Sequence, residues 1–126
     1  MTFESLGLST ALVKAVEKKG YTEPSPIQQK AIPHILEGKD ILASAQTGTG
    51  KTAAFVLPLL HHICQSNQRP GAKKCSTLIL TPTRELAVQI NENIDTYSKF
   101  TNIKALTIVG GVKPGPQIQA LNRGAD

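Results

Sequence analysis

Cysteine is scarce in this chain: two in 126 residues, Cys64 and Cys75. Their separation matches no metal-ligand spacing, and two thiols do not make the disulfide framework of a small secreted domain. They read as reduced thiols of a cytoplasmic protein. The three histidines, His34, His61 and His62, form no pattern for metal or triad chemistry, so surface or helix-packing roles are expected. No apolar run is long enough for a membrane helix, and no signal peptide is recognisable. Internal repeats and low-complexity tracts are missing as well. Acidic residues are in deficit, nine against fourteen Lys and Arg, which leaves a net charge of +5 and a pI near 9.4. That balance favours polyanionic partners such as nucleic acid, although a merely basic soluble domain would carry it too. The apolar fraction, 40%, still suffices for the core of one domain.

What is present centres on Ala45-Gln46-Thr47-Gly48-Thr49-Gly50-Lys51-Thr52. It lies between a short apolar run, Ile41-Leu42-Ala43, and a long helical pattern. Strand, glycine-rich turn and helix are the context that a phosphate-binding loop requires. The glycines let successive backbone N–H groups converge on one anion, and the helix start adds orphan donors and a positive dipole end. Lys51 brings a mobile charge to the outer phosphates, and the Thr52 hydroxyl suits Mg²⁺. The strict pattern opens on Gly where this chain has Ala45. An ordinary glycine loop capping a helix is the plainer alternative.

The rest of the chain alternates helical and extended patterns. Ser9 is a candidate N-cap for a helix with Leu12, Val13 and Val16 on one face, closed by Gly20. Ser25, Pro26 and Gln28 read as the N-cap, N1 and N3 residues of a second helix, a capping box. Pro33 should break or kink that helix near Ile32. Ile41 to Ala43 or Ser44 reads as a strand, and the apolar helix from Thr52 to about Gln65 should bend at Pro58. Ser66 to Lys74 reads as a polar, basic loop. Thr77-Leu78-Ile79-Leu80 reads as a second strand, buried on both faces. A helix from Arg84 to about Phe100 follows, with Leu86, Val88, Ile90 and Ile94 as its apolar positions. Ile103 to Val109 reads as a third strand, and a short helix runs to about Asn122, before Gly124. Such alternation predicts an α/β fold with a parallel sheet flanked by helices and right-handed crossovers.

Four ordered stretches together resemble the DEAD-box ATP-dependent RNA helicases. Gly20-Tyr21-Thr22-Glu23-Pro24-Ser25-Pro26-Ile27-Gln28 is similar to that family's Q motif, with Phe3 as the isolated upstream aromatic. Ala45 to Thr52 is similar to its motif I, where the first position is commonly Ala. Pro82-Thr83-Arg84-Glu85-Leu86-Ala87 is similar to motif Ia, and Gly110-Gly111 to the double-glycine element. The run Phe3 to Ser9 is most similar to bacterial members of the RhlE type. The resemblance covers the whole chain. It implies the amino-terminal part of the first RecA-like P-loop NTPase lobe, with residues 1–38 as the Q-motif region and 39–126 as the P-loop α/β core.

What the resemblance implies for the residues has a physical rationale. ATP with Mg²⁺ is the implied cofactor and RNA the implied partner, with no membrane. The Gln28 amide can both donate to and accept from the adenine edge; serving only the capping box is its alternative. Tyr21 offers a face on which the base can stack, or is a plain rim aromatic. Ala45, Gln46, Thr47, Gly48, Thr49, Gly50, Lys51 and Thr52 wrap the phosphates, with Lys51 and Thr52 in the catalytic roles. Pro82, Thr83 and Arg84 suit an RNA phosphate at a helix start. Thr83 can instead cap the helix, and Arg84 can instead pair with a carboxylate. Gly110 and Gly111 allow the RNA backbone close access, or merely end a strand. The family's Asp-Glu-Ala-Asp and Ser-Ala-Thr motifs and its second lobe are not among these residues. The lobe is therefore expected to be incomplete, with further strands lying between those present. A nucleotide- and RNA-binding module without catalysis is one alternative, and a small-molecule P-loop kinase is another.

Overall fold

The computed structural model describes residues 1–66 and 70–126. A 3₁₀ turn, Glu4–Leu6, leads into five α-helices among the described residues: α1 (Thr10–Lys18), α2 (Pro26–Leu36), α3 (Lys51–Gln65), α4 (Arg84–Tyr97) and α5 (Pro114–Arg123). The polar loop expected over Ser66 to Lys74 includes residues 67–69, which lie outside the described residues.

The core forms where the first four helices meet. Leu12 and Val16 of α1, Ile32 of α2, Val56, Leu57 and Leu60 of α3, and Ile90 and Tyr97 of α4 are buried together with Phe3, Leu6 and Leu8. Leu12, Ile32 and Leu57 are fully enclosed. Each such side chain contributes about 1.5–3 kcal/mol relative to leaving it exposed. Phe3, the isolated upstream aromatic, is a core residue, and the turn that carries it packs on α2.

Local signals account for most helix ends. At the end of α1, Gly20 adopts φ 100°. Its N–H bonds to Glu17 O at 2.9 Å, and the Tyr21 N–H reaches Val16 O at 3.2 Å. This is a Schellman closure, which an L side chain at Gly20 would strain. The start of α1 works differently from expectation. Ser9 is the N-cap, but its hydroxyl makes no capping bond; its N–H instead donates to His61 Nδ1 of α3 at 3.1 Å. His62 Nε2 lies 2.8 Å from Ile35 O of α2. Both histidines therefore hold helices together.

Pro33 does not break α2, which continues to Leu36. Proline forfeits one bond to the preceding turn, but it falls within one turn of the helix end, and Ala31 and Ile32 are buried beside it. α3 stays helical through the fully buried Pro58. α4 ends at Tyr97, and Val88 is 47% exposed, so it is not a core position. It lies two residues from both Leu86 and Ile90, off the i, i+4, i+8 face that Leu86, Ile90 and Ile94 share.

The three apolar runs expected as strands do not pair with one another among the described residues. Leu78 and Leu80 are exposed, against the expectation of burial on both faces for that run, and Leu42 is exposed as well. The reason is the spacing of the segments. Asp126 lies between residues 76–77 and 104: its N–H donates to Lys104 O at 2.8 Å, while its carbonyl accepts from Ser76 N at 2.9 Å and Thr77 N at 3.0 Å. The Lys104 N–H also donates to Asp126 Oδ2 at 2.8 Å. The two segments thus stand one strand apart, and one residue bridges them. Beyond it they flank a groove of about 530 Å³, floored by Val56, Leu60, Ile90 and Ile94.

Candidate functional site

The glycine-rich loop sits at the start of α3. Gly48 and Gly50 have φ of 83° and 85°, the left-handed region in which a Cβ is unfavourable. Gly50 is the N-cap, and no side chain caps this end. The orphan N–H groups of the first turn therefore remain available to an anion. Thr49 Oγ1 donates to Gln46 O, which ties the loop across itself. Ala45 and Thr49 are half-buried, whereas Gln46, Thr47 and Gly48 are exposed. Lys51 is exposed and Thr52 half-buried, on the first turn of α3. Such a loop can hold a phosphate chain. For Mg²⁺, the Thr52 hydroxyl fits as a hard oxygen ligand beside nucleotide oxygens. Among the described residues no group of three or more His, Cys, Asp or Glu side chains gathers to hold a metal ion.

Gln28 is brought directly onto this loop. Its Oε1 accepts from the Ser25 N–H at 2.9 Å, as the capping box requires, and its Nε2 donates to Gly50 O at 3.1 Å. Gln28 is only 8% exposed. Each amide atom keeps one unused capacity, since the nitrogen has a second hydrogen and the oxygen a second lone pair. The contact also requires glycine at position 50: an added Cβ would stand 2.4 Å from Gln28 Nε2 and 3.0 Å from Ser25 Oγ. Tyr21, placed by the Schellman closure of α1, is 50% exposed. Burial raises the Tyr97 hydroxyl above its ordinary pKa, and Tyr21 adds to the shift.

The second group forms at the start of α4. Thr83 is the N-cap, and its hydroxyl accepts from the Leu86 N–H at 3.2 Å. The hydroxyl thus caps the helix as an acceptor and keeps its own O–H to donate. Pro82, Thr83 and Arg84 are exposed. Arg84 pairs with no carboxylate among the described residues; its guanidinium lies against Gly111, where an added Cβ would be 2.6 Å from Nη1. Motif Ia and the double glycine thus form one surface.

Sequence reading missed three features: the Gln28–Gly50 bond, the seating of Arg84 on Gly111, and Gln117 of α5, whose Oε1 accepts from the Val109 N–H at 2.8 Å. All are tertiary contacts between residues that look locally unremarkable.

Residues 25–126 match the family model described as DEAD/DEAH box helicase. The chain is 51% identical over 111 residues to the ATP-dependent RNA helicase SrmB of Haemophilus influenzae, covering 87% of this chain and 25% of that protein. It is 46% identical over 125 residues to the ATP-dependent RNA helicase DeaD of Buchnera aphidicola, covering 98% of this chain and 20% of that one. It therefore spans a quarter or less of these two relatives. Among solved structures, a DEAD box protein from Methanococcus jannaschii matches with TM-score 0.86 and 40% identity, over 99% of this chain and 33% of that one. The RNA helicase Prp28 from Chaetomium thermophilum, bound to ADP, matches with TM-score 0.83 and 42% identity, over 98% of this chain and 30% of that one. The fold is the RecA-like α/β fold, here an incomplete lobe. The chain belongs to the DEAD/DEAH box helicase family.

Proposed function

We propose that this chain is the ATP- and RNA-binding front of an ATP-dependent RNA helicase, and that the longer protein unwinds short RNA duplexes. The observation that carries the reading is the Gln28–Gly50 hydrogen bond, which joins a base-reading amide to a phosphate loop with an uncapped helix start. Gln28, with its spare donor and acceptor, reads adenine, and Tyr21 stacks on it. Residues 45–52 hold the phosphates, and Lys51 offsets charge on the outer ones. Thr52 is the protein ligand for Mg²⁺, which neutralises phosphate charge when bound. RNA lies on Pro82, Thr83, Arg84, Gly110 and Gly111 through its backbone, so sequence preference is weak and salt dependence strong. The run Phe3 to Ser9 supports a bacterial RhlE-type relation, and the two thiols support a cytoplasmic location.

The chain by itself binds nucleotide without useful turnover. The acidic motif of its family is not among its residues, and no transition-state arginine from a second lobe is present. In other P-loop enzymes that arginine is worth roughly 10³–10⁵ in rate. The test is a titration with ATP and GTP of the chain, Gln28→Ala and Lys51→Ala, plus phosphate release with and without RNA. Gln28→Ala should lose about 1–3 kcal/mol of discrimination between ATP and GTP. An unchanged ratio returns Gln28 to capping alone. RNA-stimulated release by the chain itself would show that the catalytic groups lie within it.

A further inference from the structure

The two glycines of the Gly110–Gly111 turn differ. Gly111 has φ 77°, and an added Cβ would meet Arg84 Nη1 at 2.6 Å and Cζ at 3.2 Å. Its own chain explains why it is glycine: the backbone is left-handed, and a guanidinium fills the space. Gly110 has neither reason. Its φ is outside the left-handed region, and nothing lies within 4 Å of a Cβ built on it.

The turn is also held from both sides. From α4, Arg84 rests on Gly111; among the described residues it pairs with no carboxylate and donates no hydrogen bond. From α5, Gln117 Oε1 accepts from the Val109 N–H at 2.8 Å, in a half-buried setting. Val109 is the last residue of an extended segment that has no strand partner for that donor among the described residues. Pro114 and Pro116 stiffen the link between the turn and Gln117 by fixing φ.

We propose that Gln117 is a positioning residue that fixes the Gly110–Gly111 turn, already named above as an RNA-backbone contact, and that Arg84, itself a contact, braces the same turn from the other side. This rests on the RNA-binding reading above. Arg84 braces Gly111 with one side of its guanidinium and keeps donors for a phosphate. Gln117 touches no RNA and acts by holding Val109, and with it the start of the turn. Gly110 lacks a side chain because the ligand, not the protein, occupies that space.

The test compares the chain with Gln117→Ala and Gly110→Ala. Binding of a labelled ten-residue oligouridylate is followed by anisotropy at low salt. Binding of an ATP analogue and amide exchange at Val109 are measured in parallel. Gln117→Ala should weaken RNA binding about fivefold, the size of one lost hydrogen bond. ATP-analogue binding should be unchanged, and Val109 should exchange faster. Gln117→Glu, which keeps an acceptor oxygen, should restore Val109 protection. Gly110→Ala should keep the fold and thermal midpoint but lose RNA affinity to a comparable degree. RNA binding by Gln117→Ala equal to the unaltered chain would overturn the positioning role. Unchanged RNA binding by Gly110→Ala would overturn the contact, and it remains decisive if Gln117→Ala fails to fold. No RNA binding by the unaltered chain would overturn the functional reading, and the proposal with it.

Discussion

The helical layer and the extended segments of this molecule solve the same problem with unequal success. Each helix pays its backbone hydrogen bonds internally and needs neighbours only for its apolar stripe. α1 to α4 find them, and Leu12, Ile32 and Leu57 are fully enclosed. The extended segments are as apolar, but a strand must borrow its hydrogen bonds from another strand. Among the described residues none is paired that way, and Leu78 and Leu80 stay 76% and 84% exposed. The candidate functional groups sit on the seam: the glycine-rich loop and the Pro82–Arg84 stretch each follow an apolar segment and begin a helix. Their helix sides pack into the core, and their strand sides have no strand partner among the described residues.

Hydrogen exchange should show this contrast at its largest. Amides of Val56, Leu57 and Leu60 should exchange roughly a thousandfold slower than those of Leu78, Leu80, Leu106 and Ile108. Equal protection would mean that the segments find strand partners in solution. Next in size, Leu57→Ala should lower stability by about 2–5 kcal/mol in denaturant titration, while Leu80→Ala should change it by less than about 0.5 kcal/mol. A large loss at Leu80 would abolish the distinction between the layers. Asp126→Ala keeps the main-chain bridge and loses the carboxylate bond from Lys104 N–H. It should cost about 1 kcal/mol or less, with faster exchange at Lys104 as the specific sign.

The smallest effect is a pH slope within the helical layer. Burial, with His62 adding to it, holds the His61 pKa below its ordinary 6.5. The neutral ring accepts the Ser9 N–H at Nδ1. The unfolded chain takes up a proton first as pH falls. This contribution is therefore complete above about pH 6.5 and is lost as pH drops through the lower folded value. Thermal midpoints between pH 8 and 5 should fall more for the unaltered chain than for His61→Gln. Parallel curves would remove His61 from the explanation.

Legibility in the sequence follows the range of the interaction. The Gly20 closure, the Ser25–Gln28 bond and the glycine loop depend on residues a few positions apart, and all were readable. The helices were readable by spacing. Pro33 does not break the helix, because a local penalty near the helix end is outweighed by the burial of Ala31 and Ile32. The extended segments were recognisable as apolar runs, but pairing depends on residues far away in sequence. The same limit hid Gln28 on Gly50, Arg84 on Gly111, and Gln117 on Val109. Family likeness brought the first two pairs to one site each without saying that they touch.

The space at Gly50 makes two positions one unit of heredity. Any side chain there would displace the Gln28 amide, so under the proposed function a change at Gly50 damages base reading as well as the loop. Once Gln28 has been shortened to alanine, the same change at Gly50 should do less further harm, leaving only its left-handed backbone to resist. A double-mutant cycle across this pair would show strong epistasis, whereas neither position should be coupled to Gly110. Selection acting on nucleotide choice would therefore find these two positions locked together.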